Sequence, residues 1–338
     1  MRYAMLIWPH ANARYQEAIE PLAEKEMLLT LKKAYPEQDP ETFAIGFERM
    51  HGAKFLVFHA PEMNENAVSM LSGHSAIYLL CEYTAEGLLR PLTGPKEAAL
   101  GDDLSGILKY KGKTNERFTR FMLHMARLSA ECRLKEGERV RFIDPMCGKG
   151  TALFEAVNMG WDAFGLDADN ASVNEAAQFY KKYLEYHRKK HTKKQSSMTV
   201  PPGKGVPVQA IMAQGQGEVR FAAADASHVA NVYGKGKAHV IAADLPYGVQ
   251  HAPTAGKRIS GMEALLERTL PGCVQALAPG GAIALSFNTN TLPRNTVLRQ
   301  MEKAGLTVME GPEFEGLAHW VEQAVTRDVC IAVKRQGR

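Results

Sequence analysis

The chain has 338 residues, 45% hydrophobic and 23% charged, which is enough for one large domain or two ordinary ones and excludes a mostly disordered protein. The apolar run at the N-terminus is broken at Pro9 and His10, so it is too short for a signal-peptide core. No other stretch approaches the roughly 20 apolar residues of a membrane span. The five cysteines are scattered without CxxC spacing, so we expect a cytoplasmic location and no metal.

The net charge of +4 is unevenly distributed along the chain. Residues 1–110 hold 10 Lys and Arg against 15 Asp and Glu, whereas residues 111–338 hold 31 against 22. We therefore expect the C-terminal part to meet a polyanion first. The densest basic cluster, Lys181 to Lys194, is consistent with a phosphate contact and equally with a solvated helix end.

The first hundred residues indicate a small α+β domain. Residues 3–8 predict a strand and residues 14–35 a helix, and apolar runs follow at 55–58 and 76–83. The turn-rich stretch 90–103 separates this part from the rest. We predict an N-terminal domain over residues 1–105 that could dimerise, bind a protein or hold RNA.

From residue 139 onward, short apolar strands alternate with helical segments. The predicted strands are 140–144, 163–167, 219–225, 239–246 and 282–288. This alternation predicts a Rossmann-like α/β domain over residues 106–338, with a parallel sheet covered on both faces and ligands at the carboxyl ends of the strands. The polar, Gly/Pro-rich insertion at 188–216 predicts a mobile loop.

The first candidate motif is DPMCGKGT, at the turn between a predicted strand and a helix. Gly148 and Gly150 let the backbone approach a ligand closely, and the helix start offers unpaired N–H groups. Dinucleotide-binding folds and plain tight turns share this pattern. The candidate cofactor-binding residues here are Asp144, Met146, Cys147, Gly148, Gly150 and Thr151.

Two further strands end in carboxylates. Asp167, followed by Ala168, lies about 20 residues past the glycines and can accept both hydroxyl hydrogens of a ribose, as any adenosine-containing cofactor requires. An NAD enzyme is the competing interpretation, but the third glycine of its fingerprint is missing. Asp225 is predicted to accept from an adenine amino group while Ala226 donates a backbone N–H; a helix N-cap explains Asp225 equally well.

The segment DLPY, Asp244 to Tyr247, follows another strand and carries the most specific chemistry. An exocyclic amine is a poor nucleophile because its lone pair is delocalised into the ring, so a site must accept its N–H hydrogens and orient the lone pair. Asp244 and the carbonyl of Leu245 or Pro246 can do this, and Tyr247 can stack on an extruded base. An ordinary Pro-containing turn is the alternative.

Together these segments resemble the class I methyltransferases that modify amino groups, and most closely the RNA guanine-N2 methyltransferases of the tRNA guanosine-10 group. In that family DPxCGSGT is the usual first motif, and DPPYG or DLPFG the catalytic one. The resemblance covers residues 110–335 and implies a seven-stranded sheet completed by runs at 308–314 and 327–335. It implies S-adenosylmethionine as cofactor and a direct in-line displacement without a covalent enzyme intermediate. This chain departs at Lys149, normally a small residue, and at Leu245 in place of the first Pro.

Upstream, the segment Tyr110 to Ala126 is similar to the family's segment that folds over the methionine end of the cofactor. The resemblance implies that Thr114, Asn115 and Phe118 contact the cofactor; a helix cap at Thr114 or Asn115 is the alternative. It does not extend to residues 1–100.

The sequence therefore predicts an S-adenosylmethionine-dependent methyltransferase of guanine N2 in tRNA or, second, in rRNA, with RNA as partner and no membrane contact. A DNA adenine-N6 or cytosine-N4 methyltransferase is the first alternative, because the chemistry is the same. A non-catalytic S-adenosylmethionine-binding homologue is the second.

Overall fold

The computed structural model describes residues 1–9, 13–50, 52–107, 110, 113–246, 255–322 and 324–335, with backbone only for 13–16 and 255–260. The chain divides into two compact units. One unit comprises residues 1–97 and 310–321, and the other comprises residues 98–309 and 322–338. The domain boundary at residues 105 and 106 stays a prediction.

The first unit is built on an antiparallel sheet in the order β2-β3-β1-β4-β5. Its elements are β1 (Arg2–Ile7), α1 (Ala13–Ala34), β2 (Gly46–Met50), β3 (Ala53–His59), α2 (Glu65–Leu71), β4 (Ile77–Tyr83) and β5 (Leu89–Thr93). Alternate residues of β1, Tyr3 and Met5, enter a core that also contains Met27 and Leu31 of α1. This spacing is the period of two expected for a strand that buries one face against a helix.

The second unit contains the remaining elements of the alternating pattern. They are α3 (Leu104–Ile107), α4 (Glu116–Ser129), β6 (Arg141–Asp144), α5 (Thr151–Asn158), β7 (Asp162–Asp167), α6 (Asn170–Tyr186), β8 (His191–Val200), β9 (Lys204–Ala213), β10 (Glu218–Ala223), α7 (Val229–Tyr233), β11 (Ala238–Asp244), α8 (Ala255–Ala276), β12 (Leu277–Asn288), α9 (Arg294–Lys303), β13 (Thr307–Val308) and β15 (Val325–Val333). The strand β14 (His319–Glu322) spans the boundary between the units.

Nine strands are hydrogen-bonded in the order β13-β15-β12-β11-β6-β7-β10-β9-β8. The five central strands, β12 to β10 in that order, are parallel. Residues 238–243 of β11 are all buried, as expected for a strand covered on both faces. Seven strands, β13 to β10 in that order, form the predicted sheet, and β9 and β8 add two more. The predicted run at 308–314 is wrong as a strand, because only Val308 of it lies in the two-residue strand β13.

The prediction of a mobile loop at 188–216 is wrong, because this insertion forms the antiparallel hairpin β8–β9. Val206 and Val208 of β9 enter the main core with Val200 of β8, which fixes the hairpin against the sheet. The turn at residues 201–203 has the Gly/Pro composition of a loop, whereas Gly205 and Pro207 lie within β9. The strand β8 is polar on both faces, so it lacks the apolar alternation by which a strand is recognised from sequence.

Within the part of the chain that the structure describes, no helix combines the length and apolar character needed to cross a membrane.

Candidate active site

The turn between β6 and α5 is held by two of its backbone N–H groups, which donate to residues of β7. The N–H of Cys147 donates to the carbonyl of Leu166 at 2.9 Å, and the N–H of Gly148 donates to Oδ2 of Asp167 at 2.8 Å. Gly148 has a φ of 49°, and a Cβ built there would meet nothing within 4 Å. The backbone of Gly148 therefore faces open space, where a ligand can approach it directly.

A cavity of about 320 Å³ lies where β6 and β11 end. Its volume is in the range of small-molecule sites, roughly 300–1,000 Å³. The lining residues are Tyr110, Thr114, Thr119, Met122, Asp144, Met146, Cys147, Gly148, Thr151, Ala152, Ala242, Asp244, Leu245 and Pro246. The first candidate motif and the catalytic candidate Asp244 thus share one cavity.

Six predicted cofactor-binding residues line this cavity: Thr114, Asp144, Met146, Cys147, Gly148 and Thr151. The other seven lie outside its lining: Asn115, Phe118, Gly150, Asp167, Ala168, Asp225 and Ala226. Sequence reasoning did not select the lining residues Tyr110, Thr119, Met122, Ala152 and Ala242.

Asp144, at the end of β6, is the most perturbed carboxyl of the site. Burial raises the pKa of Asp144 to about 8, against the opposing effect of a 3.0 Å hydrogen bond from the N–H of Met146. The charges of Asp167 and Asp244 contribute to this increase. The two neighbouring carboxylates therefore disfavour ionisation of Asp144, and a bound cation would favour it.

Asp167 ends β7 and uses both carboxylate oxygens within the chain. Oδ2 accepts from the N–H of Gly148 and Oδ1 accepts from the N–H of Asp169, each at 2.8 Å. Each oxygen retains a second lone pair. Asp167 can therefore orient the Gly148 turn and still accept hydrogens from a ribose.

Asp225 acts as the helix N-cap that the sequence offered as the alternative to adenine binding. Its Oδ1 accepts from the N–H of Ser227 at 3.0 Å, and Arg268 of α8 lies 3.1 Å from its Oδ2. Burial raises the pKa of Asp225. The hydrogen bonds from Ser227 and the charge of Arg268 lower it by more, so the pKa lies below its ordinary value. Helix α8 packs so closely here that a Cβ on Gly272 would lie 2.4 Å from the carbonyl oxygen of Ser227.

Asp244, at the end of β11, is held by side chains from three other elements. Its Oδ2 accepts from the hydroxyl of Thr114, and its Oδ1 accepts from the hydroxyl of Ser286 at 2.8 Å. Nη2 of Arg327 lies 3.6 Å from Oδ2. The Asp244 side chain is 21% exposed, so the carboxylate is fixed and still accessible.

The rest of the predicted catalytic segment is divided between core and surface. The side chain of Leu245 is buried, and its N–H donates to the carbonyl of Ser286 at 2.8 Å, whereas Pro246 is exposed. Tyr247 lies outside the described residues.

Arg327 of β15 is the least expected member of the site. Its side chain is 4% exposed and lies over the ring of Phe118, with its guanidinium carbon 4.6 Å from the ring centre. Phe118 therefore contacts a partner of Asp244 and does not line the cavity. The charged residues Arg327 and Asp328, directly before the apolar run 329–333, are the signal by which Arg327 could have been found.

The segment before the first motif supplies one wall of the cavity. Asn115 caps α4 by accepting from the N–H of Arg117 at 2.9 Å, as its alternative interpretation predicted. The hydroxyl groups of Tyr110 and Thr151 are 3.0 Å apart. Lys149 lies with Nζ 5.5 Å from the Tyr110 ring centre and 2.5 Å from Glu175, so it supports the cavity wall from outside.

A family model described as UPF0020, RMKL-like, methyltransferase domain, matches residues 110–313, which span the cavity and most of the large sheet. The chain belongs to this family. It is a methyltransferase that depends on S-adenosylmethionine, and the predicted class I α/β fold is confirmed.

Solved structures with a similar fold include TrmN from Thermus thermophilus, with 15% identity, 98% of this chain and 99% of that chain covered, and a TM-score of 0.47. A TehB-like SAM-dependent methyltransferase from Corynebacterium glutamicum has 16% identity, 59% and 82% coverage, and a TM-score of 0.36. An S-adenosylmethionine-dependent methyltransferase from Clostridium acetobutylicum has 10% identity, 59% and 85% coverage, and a TM-score of 0.36. No curated protein matches the chain.

The site of this UPF0020 family member fits S-adenosylmethionine. When bound, the cofactor supplies an electrophilic methyl group on a positively charged sulfonium. The carboxyl group of Asp144 lines the cavity and, when ionised, complements a cation. The open backbone at Gly148 and the remaining lone pairs of Asp167 suit the nucleoside part.

Proposed function

We propose that this UPF0020 protein methylates an exocyclic amino nitrogen of a nucleic-acid base, with guanine N2 in tRNA as the first target and rRNA as the second. One observation carries the proposal: the fixed carboxylate of Asp244 and the open Gly148 turn line the same cavity. The group that can hold an amine therefore lies beside the turn that can hold the methyl donor.

The role of Asp244 follows from its hydrogen bonds. Oδ2 accepts from the hydroxyl of Thr114 and Oδ1 accepts from the hydroxyl of Ser286, and a carboxylate can accept about four hydrogen bonds in all. Asp244 can accept an N–H hydrogen of the amine and so direct the nitrogen lone pair toward the methyl group. Because Thr114 and Ser286 hold the carboxylate in place, little orientational freedom has to be lost when the base binds.

The geometry of a carboxylate favours guanine among the bases. Guanine presents N1–H and N2–H donors side by side, and the two oxygens of one carboxylate can accept both. Adenine and cytosine present only the amino group beside a ring-nitrogen acceptor, which a carboxylate would repel. A pair of charge-assisted hydrogen bonds is stronger and more directional than one.

DNA amino methylation is the second candidate, and the hairpin β8–β9 is the observation that favours it. A two-stranded β-ribbon can enter the major groove of DNA. The hairpin at 188–216 is therefore compatible with binding to duplex DNA.

The test is transfer of a labelled methyl group from S-adenosylmethionine to bulk tRNA, rRNA and duplex DNA, followed by nucleoside mass spectrometry. We expect N2-methylguanosine in tRNA and no label with Asp244→Ala, while that variant still binds S-adenosylmethionine in calorimetry. Label in DNA alone would establish the second candidate. Cofactor binding without transfer to any substrate would identify a non-catalytic homologue.

A further inference from the structure

The hairpin β8–β9 and the turn before it form a stretch free of carboxylates. About one residue in nine of the whole chain is acidic, yet residues 186–217 contain no Asp or Glu. The same stretch contains six cationic residues: Arg188, Lys189, Lys190, Lys193, Lys194 and Lys204. This one-sided composition sets the hairpin apart from the ordinary mixed-charge surface of a globular protein.

All six cationic side chains are exposed. Within the described part of the chain none of them forms an ion pair, whereas Lys181, one turn earlier on α6, pairs with Glu185 at 3.1 Å. Their charges are therefore available to an external anion. Tyr186, at the end of α6, is 83% exposed and adds an aromatic surface next to this charge.

The strand β8 has further donors suited to phosphate. It is the last strand of the sheet, and among the described strands none pairs with its outer edge. Its outward backbone N–H groups are therefore available. Between the lysines and the turn, Gln195, Ser196, Ser197 and Thr199 are exposed. Lysine, hydroxyl and amide side chains and backbone N–H groups are the usual phosphate contacts.

The direction of the hairpin leads toward the cofactor edge of the sheet. Val208 of β9 pairs with Ala222 near the end of β10, so residues 204–207 continue beyond that strand. They pair with residues 197–200 of β8. The ten residues of β8 span about 30 Å at 3.3 Å per residue. The surface therefore runs from Lys189 past the length of β10 to Lys204 on the side where Asp225 lies.

We propose that the outer edge of β8, together with the preceding Lys189 and Lys190 and with Lys204 at the hairpin end, binds the phosphate backbone of the RNA substrate and guides it toward the cavity. This inference rests on the proposed function, which supplies the RNA. Lysines on an exposed edge also prevent pairing with other sheets. That role alone would give no salt-dependent affinity for RNA.

The test replaces Lys189, Lys190, Lys193 and Lys194 together with Gln and measures tRNA affinity between 50 and 300 mM salt. Each lost phosphate contact lowers the slope of log affinity against log salt by roughly 0.7–0.9. We expect the slope to fall by about 3 in magnitude and the affinity at low salt to fall at least tenfold. The affinity for S-adenosylmethionine should stay unchanged.

Two controls make the result specific. The variant K235Q/K237Q/R299Q/K303Q removes the same charge from the α7–β11 turn and α9, and it should keep the wild-type slope. Replacing the four hairpin lysines with Arg should also keep it, and circular dichroism would check that every variant folds.

An unchanged slope in the Gln variant, while the wild type still methylates tRNA, would overturn the docking surface and leave the proposed function intact. Equal slope losses in the Gln variant and the α7–β11 control would also overturn it, as would salt-dependent binding of duplex DNA but not of tRNA. Absence of methylation by the wild type would instead count against the proposed function.

Discussion

The two sides of the cavity are held together in different ways. The Gly148 turn is fixed by its own backbone N–H groups, which donate to the next strand along the chain at the carbonyl of Leu166 and the carboxylate of Asp167, and Gly148 and Asp167 are only 19 residues apart. Asp244 is fixed by side chains, and its partner Thr114 is 130 residues away and Ser286 is 42 residues away. The cofactor side is therefore a local property of the sequence, and the acceptor side depends on the completed sheet.

This difference implies that the two sides can be disrupted separately. A change among the partners of Asp244 should lower transfer and leave cofactor affinity nearly intact. A change at Asp144 or Lys149 should act on cofactor binding first. The following predictions test this separation, beginning with the largest effect.

The variant Asp244→Asn keeps the shape of the side chain and removes its charge. We expect kcat to fall on the order of 10²–10³-fold, because an amide binds an N–H hydrogen more weakly than a carboxylate does and presents a donor to the amine. Calorimetry should show cofactor affinity within about twofold of the wild type. A parallel loss of cofactor affinity would contradict the separation of the two sides.

Arg327→Met should lower kcat about tenfold, which corresponds to roughly 1.4 kcal/mol. This variant removes the cation that lies 3.6 Å from Oδ2 of Asp244 and keeps the hydroxyl groups of Thr114 and Ser286. Arg327→Lys should recover part of the loss, and KM for RNA should change less than kcat.

Arg294 of α9 offers a matched control for Arg327. Arg294 pairs at 2.9 Å with Asp328, which is the neighbour of Arg327 on β15. Arg294→Met should reduce thermal stability without changing kcat at a temperature where the variant is folded. If both variants lowered kcat equally, Arg327 would act only through stability of the fold.

Asp144 should make cofactor binding depend on pH. Its pKa near 8 leaves the carboxyl neutral below that pH, whereas a cationic ligand favours the ionised form. Affinity should therefore rise with pH, by at most about tenfold per pH unit, and level off above pH 8. Asp144→Asn should remove this rise.

The ligand's own amino group titrates in a similar range, near pH 8, but equally for wild type and variant. The difference between the two proteins in calorimetry from pH 6 to pH 9 therefore isolates Asp144. Parallel curves for the two proteins would assign the pH dependence to the ligand.

Lys149→Ser should have the smallest effect. Its pair with Glu175 is largely solvent-exposed, and such pairs contribute about 0–1 kcal/mol. We expect cofactor affinity to change by less than about fivefold. A larger change would mean that Lys149 contacts the cofactor directly.

The sequence was sufficient for the alternating fold and for the turns that carry the site. Strand-end motifs are legible because a parallel sheet brings the carboxyl ends of its strands to one edge. Asp144, Gly148 and Asp244 line one cavity for this reason. The hairpin β8–β9 was missed because β8 is polar on both faces and its pairing, not its composition, makes it a strand.

The partners of Asp244 were beyond local reasoning. Ser286 and Arg327 lie in predicted strands, and no pattern along the chain says which strand will neighbour β11. Asp225 shows the same limit, because its pairing with Arg268 depends on how α8 packs. Periodicity in the sequence predicts whether a side chain faces the core or the solvent. Tertiary packing decides which residues that side chain contacts.

The position of β15 has a consequence for synthesis of the protein. This strand follows β12 and β13 in the chain but lies between them in the sheet, paired along seven residues of β12. While the ribosome is still adding residues 325–333, the long apolar strand β12 has an open edge that invites association with other chains. A chain that terminates just before β15 should therefore aggregate, because the edge of β12 stays open. It would also lack Arg327, so both solubility and catalysis depend on this last strand to be synthesised.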